Sequence, residues 1–154
     1  MALRNIVEEG DPVLRKICKE VKEITPRTLQ LLDDLAETMR DANGVGLAAP
    51  QVGILRRIAV VEVDDELYEL INPEIVLTEG DQYDDEGCLS VPGKAGKVHR
   101  PEYVEVNCLN RSGEEVTYEA DGLLARAFCH EIDHLDGVLY IDKAEDIRFI
   151  DEED

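Results

Sequence analysis

Basic side chains are scarce in this sequence. Sixteen lysines and arginines stand against 36 aspartates and glutamates, a formal net charge of −20 over 154 residues. So acidic a surface repels phosphate backbones, which argues against direct nucleic-acid binding; otherwise it serves solubility. Long apolar runs are missing as well. The longest, such as "IAVVEV" at 58–63, are strand-sized, far short of the roughly 20 residues a membrane-crossing helix needs. The opening "MALRNIVEEGDP" has no apolar stretch fit for a signal peptide, and acids arrive by Glu8. Nor is it Arg/Ser-rich and acid-poor, as a transit peptide would be. The expectation is a cytoplasmic protein with no membrane partner. Four cysteines (Cys18, Cys88, Cys108, Cys129) allow two disulfides by arithmetic, but without an export signal reduced thiols are expected.

What is present is an ordinary globular balance, 44% apolar and 34% charged. Residues 1–154 read as one domain, long enough to bury its own core. "TPRTLQLLDDLAETMRDANG" has the form of a helix: Thr25 caps it, Pro26 suits the first position, and Leu29, Leu32, Leu35, Ala36 and Met39 make one stripe. "RRIAVVEV", "LYELIN" and "EIVLTE" read as strands, the last two punctuated by Asn72-Pro73. "EYVEVNCLN" and "EEVTYEA" alternate around Arg111-Ser112-Gly113, a hairpin pattern. "DGLLARAFCHEIDHLDG" is a second helix, with Asp121 as cap and Gly137 as stop. Antiparallel strands with helices segregated in sequence indicate an α+β fold. The tail from about 142 to 154 is strongly acidic and is expected to be solvated or frayed at its end.

Two of the three histidines lie in "CHEIDHLDG". Residues i and i+4 of a helix share a face, so His130 and His134 can aim both rings at one metal ion. Glu131 is turned about 100° from the first, a direction that follows from the roughly 3.6-residue turn. Its carboxylate could then reach a water beside the metal without itself being a ligand, the logic of an H-E-x-x-H metallohydrolase. The same pair could instead be solvated, or hydrogen-bonded in a core. A catalytic site needs a third protein ligand and an open position. Downstream there are only carboxylates, Asp136, Asp142, Glu145 and the tail. Upstream, Cys88 in "DDEGCLSVP" offers a thiolate in a Gly-flanked loop, or else a buried structural thiol. Cys129 points to another helical face and reads as a packed thiol, and His99 as a surface or loop residue.

Three segments taken together, "GVGLAAPQ" (44–51), "EGCLS" (86–90) and "HEIDH" (130–134), resemble the three signature motifs of the peptide deformylase family, in the family's order. The resemblance runs from "DPVLR" to the end of the second helix. It implies antiparallel sheets packed around a central helix that carries HEIDH. It also implies Cys88, His130 and His134 as ligands of one divalent metal, usually iron(II), with zinc, nickel or cobalt able to substitute. Glu131 becomes the acid/base, and the Gln51 amide with the Leu89 backbone N–H becomes the oxyanion donor pair. Gly44, Val45 and Gly46 would meet the substrate backbone, and Val45, Leu123, Ala127 and the His130 ring would enclose the methionine side chain. Some members have a bulkier aliphatic residue where this chain has Arg126. Arg100 matches an arginine near the peptide path; a plain surface arginine is the alternative. The reaction implied is hydrolysis of the formyl group from N-formyl-Met nascent peptides, by a monomer whose acidic tail keeps any ribosome association weak. A metallopeptidase and a metal-stapled scaffold remain as alternatives, but neither accounts for "GVGLAAPQ".

Overall fold

The computed structural model describes residues 2–150. Helix α1 spans Pro26–Asp41, and the Thr28 hydroxyl reaches back 3.1 Å to accept the Thr25 N–H at its start. Leu32, Leu35 and Met39 are fully buried as the stripe requires, while Leu29 packs only at its margin. Strands β1 (Gly46–Ala48), β2 (Ile58–Val63), β3 (Glu66–Glu79), β6 (Tyr103–Leu109) and β7 (Glu115–Asp121) form a sheet in the order β1-β2-β3-β6-β7. A smaller sheet has the order β4-β5-β8, from Gln82–Cys88, Val91–Arg100 and Glu145–Phe149. Every neighbouring pair in both sheets is antiparallel. Helix α2 is Gly122–Leu135. The fold is α+β.

The continuous apolar run of β2 has a simple cause. Ile58 and Val60 pack with Leu32, Leu35 and Met39 of α1, whereas Val61 packs with Ala125, Phe128 and Ile132 of α2. Successive strand residues face opposite ways, so a strand covered by a helix on each side must be apolar throughout. Burying a side chain the size of Phe128 contributes roughly 1.5–3 kcal/mol, and Phe128 also meets Tyr68 edge-on at 5.3 Å. At its far end α2 stops on Gly137, whose φ is +77°. A Cβ there would stand 2.5 Å from the Arg15 carbonyl oxygen, so glycine is required on two grounds.

Several details differ from expectation. "LYELIN" and "EIVLTE" are one strand, β3, with an irregularity between Ile71 and Glu74. Asn72 takes a left-handed φ of 52°, and its amide accepts the Val21 N–H and donates to the Val21 carbonyl, both at 2.8 Å. The dipeptide therefore kinks the strand at a bulge and leaves it unbroken. Asp121 stands at the N-cap of α2 but its side chain makes no capping bond. Cys88 is the last residue of β4 and sits in no open loop, and β5 was not anticipated at all. The acidic tail contributes a strand. Its β8 is solvent-exposed along its length yet pairs with β5, and residues 151–154 lie outside the described part. Gly96 lets it dock: a Cβ there would be 2.8 Å from the Ala144 Cβ. The four cysteines are free thiols.

Before α1 the chain is tied down by a buried carboxylate. Asp34 accepts the Ala2 N–H at 2.8 Å, the Gln30 amide at 2.7 Å and Arg4 Nε at 2.9 Å. Burial alone would raise its pKa, but these bonds and the Arg4 charge hold it below the usual carboxylate range. The depressed value belongs to the folded state. Its stability is therefore present above about pH 4, the unfolded value, and is lost as pH falls through the folded one. Asp34→Asn should cost about 1–3 kcal/mol at pH 7. Thermal melts should show the gap to wild type narrowing at pH 3; a gap independent of pH would contradict the assignment.

Candidate metal centre and active site

Helix α2 presents His130 and His134 one turn apart on its face toward the smaller sheet, and both rings are buried. Cys88 arrives from the β4–β5 turn, where it pairs with Val91 across Leu89 and Ser90. Its Sγ lies 3.3 Å from His134 Nε2 and accepts the Ser90 N–H at 3.4 Å. The three ligand atoms are all within 4.8 Å of one another. This cage could hold a metal ion. A thiolate and two imidazoles on a buried face suit one borderline divalent cation, and three protein ligands leave a coordination position free. Cys129 contributes nothing to the cage, because it packs into the core with Val104 and Val106.

Glu86, one residue before Gly87 and Cys88, orients the first histidine. Its Oε1 lies 2.8 Å from His130 Nδ1, which leaves Nε2 of that ring for the cage. Arg100 clamps the same carboxylate through Nε at 2.7 Å and Nη2 at 2.9 Å, and Arg126 Nη1 adds a bond at 2.6 Å. Burial would raise the pKa of Glu86, but hydrogen bonds from Arg100 and His130 and their charges hold it far below the usual range. Arg100 is thus neither at the surface nor along the cavity. It is 3% exposed and stands behind the ligands, with a second bond of 2.7 Å to Asp133. Arg126, doubtful as part of the pocket wall, does line the cavity while its head is held by Glu86 and the Val98 carbonyl.

Gln51 is 1% exposed and its amide is fixed in one orientation. Its Oε1 accepts the Ala48 N–H at 2.9 Å, so Nε2 points to the Ser90 hydroxyl at 3.1 Å and to Cys88 Sγ at 3.5 Å. Glu131 Oε2 lies 4.0 Å from His130 Nε2, and its Oε1 is buried without a hydrogen-bond partner among the described residues. Burial pushes this carboxyl up to about 7, partly opposed by the charge of His130. A carboxyl poised near neutrality suits proton transfer. Gly46 lies flat against it: a Cβ on Gly46 would collide with Glu131 Oε2 and come within 2.9 Å of its Cδ. Gly44 is close-packed in the same way, 2.7 Å from Leu89 Cδ1 for a notional Cβ.

From the cage a cavity of about 380 Å³ opens outward, lined by Val45, Gly46, Leu89, Leu123 and Ala127 among others. The fold therefore brings Cys88, His130, His134, Glu131, Gln51 and Leu89 together and sets Val45, Leu123 and Ala127 around them. It leaves Gly44 behind Leu89 and Arg100 behind His130. His99 sits on β5 at the surface, 3.0 Å from Asp81.

Comparison with known proteins points one way. The family model for polypeptide deformylase matches residues 3–149. The chain belongs to this family. The peptide deformylase of Acetivibrio thermocellus is 62% identical over 154 residues, covering 100% of this chain and 89% of that protein. The crystal structure of peptide deformylase from Thermotoga maritima superposes with a TM-score of 0.92 at 40% identity, covering 94% of this chain and 99% of that one. A peptide deformylase structure from Synechococcus elongatus, in complex with actinonin, gives 0.90 at 43% identity over 93% of this chain and 79% of that one. As a deformylase, the protein is a metal-dependent hydrolase that removes N-formyl groups from new peptides.

Sequence reasoning overlooked Glu86, Ser90 and Asp133 as parts of this site, and weighed Arg126 only as a pocket position, not as a partner of Glu86. Glu86 and Ser90 lie inside "EGCLS", but nothing in the spacing shows that two arginines from other elements converge on Glu86. Removing the Cys88 thiolate tests the cage. Cys88→Ser, purified beside wild type, should hold far less than one metal per chain by elemental analysis; full metal content with full activity would remove Cys88 from the ligand set.

Proposed function

We propose that Cys88, His130 and His134 hold one divalent metal, iron(II) foremost with zinc, nickel or cobalt as substitutes, and that Glu131, Gln51 and Leu89 carry the deformylation of N-formyl-Met peptides beside it. The observation that carries this reading is the Glu131 carboxylate, buried and half unpartnered next to the cage and covered on one side only by Gly46. When bound, the metal supplies Lewis acidity, acidifying a water and polarising the formyl carbonyl. Glu131 takes a proton from the attacking water as its oxygen bonds to the formyl carbon. Negative charge then grows on the formyl oxygen, where the Gln51 amide and the Leu89 N–H donate to it. Loss of one such donor typically costs on the order of 10²–10³ in turnover. Glu131 returns the proton to the departing nitrogen as the C–N bond breaks, so a neutral amine and formic acid are released, the acid then giving its proton to water to become formate.

The substrate backbone adds alongside Val45 and Gly46. Val45 precedes and Gly46 opens β1, an edge strand whose one partner among the described residues is β2. The methionine side chain enters between Val45, Leu123, Ala127 and the His130 ring, with the stem of Arg126 as part of the wall. Arg100 serves by holding Glu86, and through it His130, and does not touch the peptide. No helix among the described residues is long and apolar enough to cross a membrane. The enzyme works as a cytoplasmic monomer, and its acidity keeps any ribosome association weak.

Glu131→Gln keeps shape and removes the base. The variant should retain its metal while formate release from formyl-Met-Ala-Ser falls by roughly 10²-fold or more. Mass spectrometry of the wild-type product should show the formyl group replaced by hydrogen and every peptide bond intact. Internal fragments still carrying formyl would instead make this a metallopeptidase. If the metal is iron(II), activity of anaerobically purified enzyme should decay in air and persist after exchange for nickel; indifference to oxygen points to zinc. Gly46→Ala should also depress turnover with metal retained, since its methyl group would displace the Glu131 carboxylate.

A further inference from the structure

One residue lining the cavity comes from the acidic tail, far in sequence from all three motifs. Ile150 follows β8 directly, and 46% of it is exposed. Its N–H donates to the Gly93 carbonyl at 2.9 Å, extending by one step the pairing of Phe149 with Lys94 and of Arg148 with Ala95. Side chains alternate along an extended segment, so Ile150 shares a face with Arg148 and opposes Phe149. The contacts agree. Arg148 Nη2 bonds Asp85 at 2.8 Å, and Asp85 lines the same cavity. Phe149, 85% exposed with its ring 5.6 Å from Lys94 Nζ, does not line the cavity. The backbone ladder and one ion pair thus hold the strand in the register that turns Ile150 to the cavity.

At the inner end of that cavity are Cys88, His130, Glu131 and Gln51. Its exposed apolar lining toward solvent includes Val45 at 47%, Leu123 at 54% and Ile150 at 46%, from three separate parts of the chain. Val45 and Leu123 are taken by the methionine pocket in the reading above, on which this inference rests. A formyl group at the cage fixes the start of the peptide, and each further residue advances about 3.3 Å toward the mouth. We infer that Ile150 is a specificity-determining residue, the apolar wall for the side chain of the first or second residue after the methionine. It makes the enzyme favour peptides with an aliphatic side chain there over those with a small one.

The test measures formate release from formyl-Met-Ala-Ser, formyl-Met-Leu-Ser and formyl-Met-Ala-Leu by the metal-loaded wild type, Ile150→Ser and Ile150→Val. Wild type should favour one leucine peptide over formyl-Met-Ala-Ser by roughly 3–10-fold in kcat/KM, the range that a few apolar contacts supply. Ile150→Ser should abolish that preference through KM, with kcat and the alanine-serine peptide little changed, and Ile150→Val should keep most of it. Arg148→Gln, which frees the strand but keeps Ile150, should weaken the preference in the same direction. A wild type without preference, or an Ile150→Ser enzyme that keeps the wild-type ranking or slows on all three peptides alike, overturns the inference and leaves deformylation standing. Absence of formate from every peptide with wild type would overturn deformylation itself, and this inference with it.

Discussion

Four donor atoms from three side chains converge on the Glu86 carboxylate: Nε and Nη2 of Arg100, Nη1 of Arg126 and Nδ1 of His130. The four residues come from β4, β5 and α2, so one buried charge cluster joins the smaller sheet to the helix that carries the histidines. Removing ions from water is costly, and the cost is offset only when every partner is in place. Such a cluster is consequently all or nothing. With it assembled, His130 has one ring orientation and one nitrogen directed at the cage. With one guanidinium removed, the remaining buried charges have no comparable alternative, and the ligand geometry would loosen with them.

Helix α2 can bear this demand because its other side is anchored independently. Ala125, Phe128 and Ile132 interlock with the large sheet through Val61, Val104 and Val106. The histidines thus stand on a rigid element between two sheets, while Cys88 ends β4 just before a two-residue turn and Gln51 comes from a 3-10 turn. Ser90 and Ala48 fix those connections by hydrogen bonds to Gln51. Rigid placement of each reacting group, before any ligand arrives, is what makes electrostatic assistance effective.

Local patterns made part of this architecture legible in advance. The period of α1, the i and i+4 spacing of His130 and His134, and the Gly137 stop are carried by neighbours in sequence, and the structure has each where the pattern put it. Strands β4 and β5 were overlooked because "QYDDEGC" is crowded with acids, "VPGKAGKVHR" with glycine, proline and basic residues, and neither alternates regularly. Tertiary pairing gives them their form: β4 pairs with β5, and β5 with β8, itself too charged to stand out as a strand. Asn72-Pro73 has the composition of a turn, but the Val21 backbone holds Asn72 inside a continuous strand. The role of Arg100 was illegible for a deeper reason. Whether an arginine lies on the surface or within a buried triad depends on residues 14 and 33 positions away.

The brevity of β1 has a consequence of its own. It is three residues long, pairs with β2 alone, and begins at the glycine that touches Glu131. A chain laid along so short an edge has very little room to slide. Because a strand shows alternate faces at successive residues, displacement by one position would, in the proposed binding mode, turn the methionine side chain away from Val45 and Leu123 and carry the formyl carbon past the Glu131 carboxylate. In the binding mode proposed above, the edge would work as a ruler with a single graduation, measuring from the end of the peptide, so that a protein-sized substrate is read without inspecting the rest of its sequence.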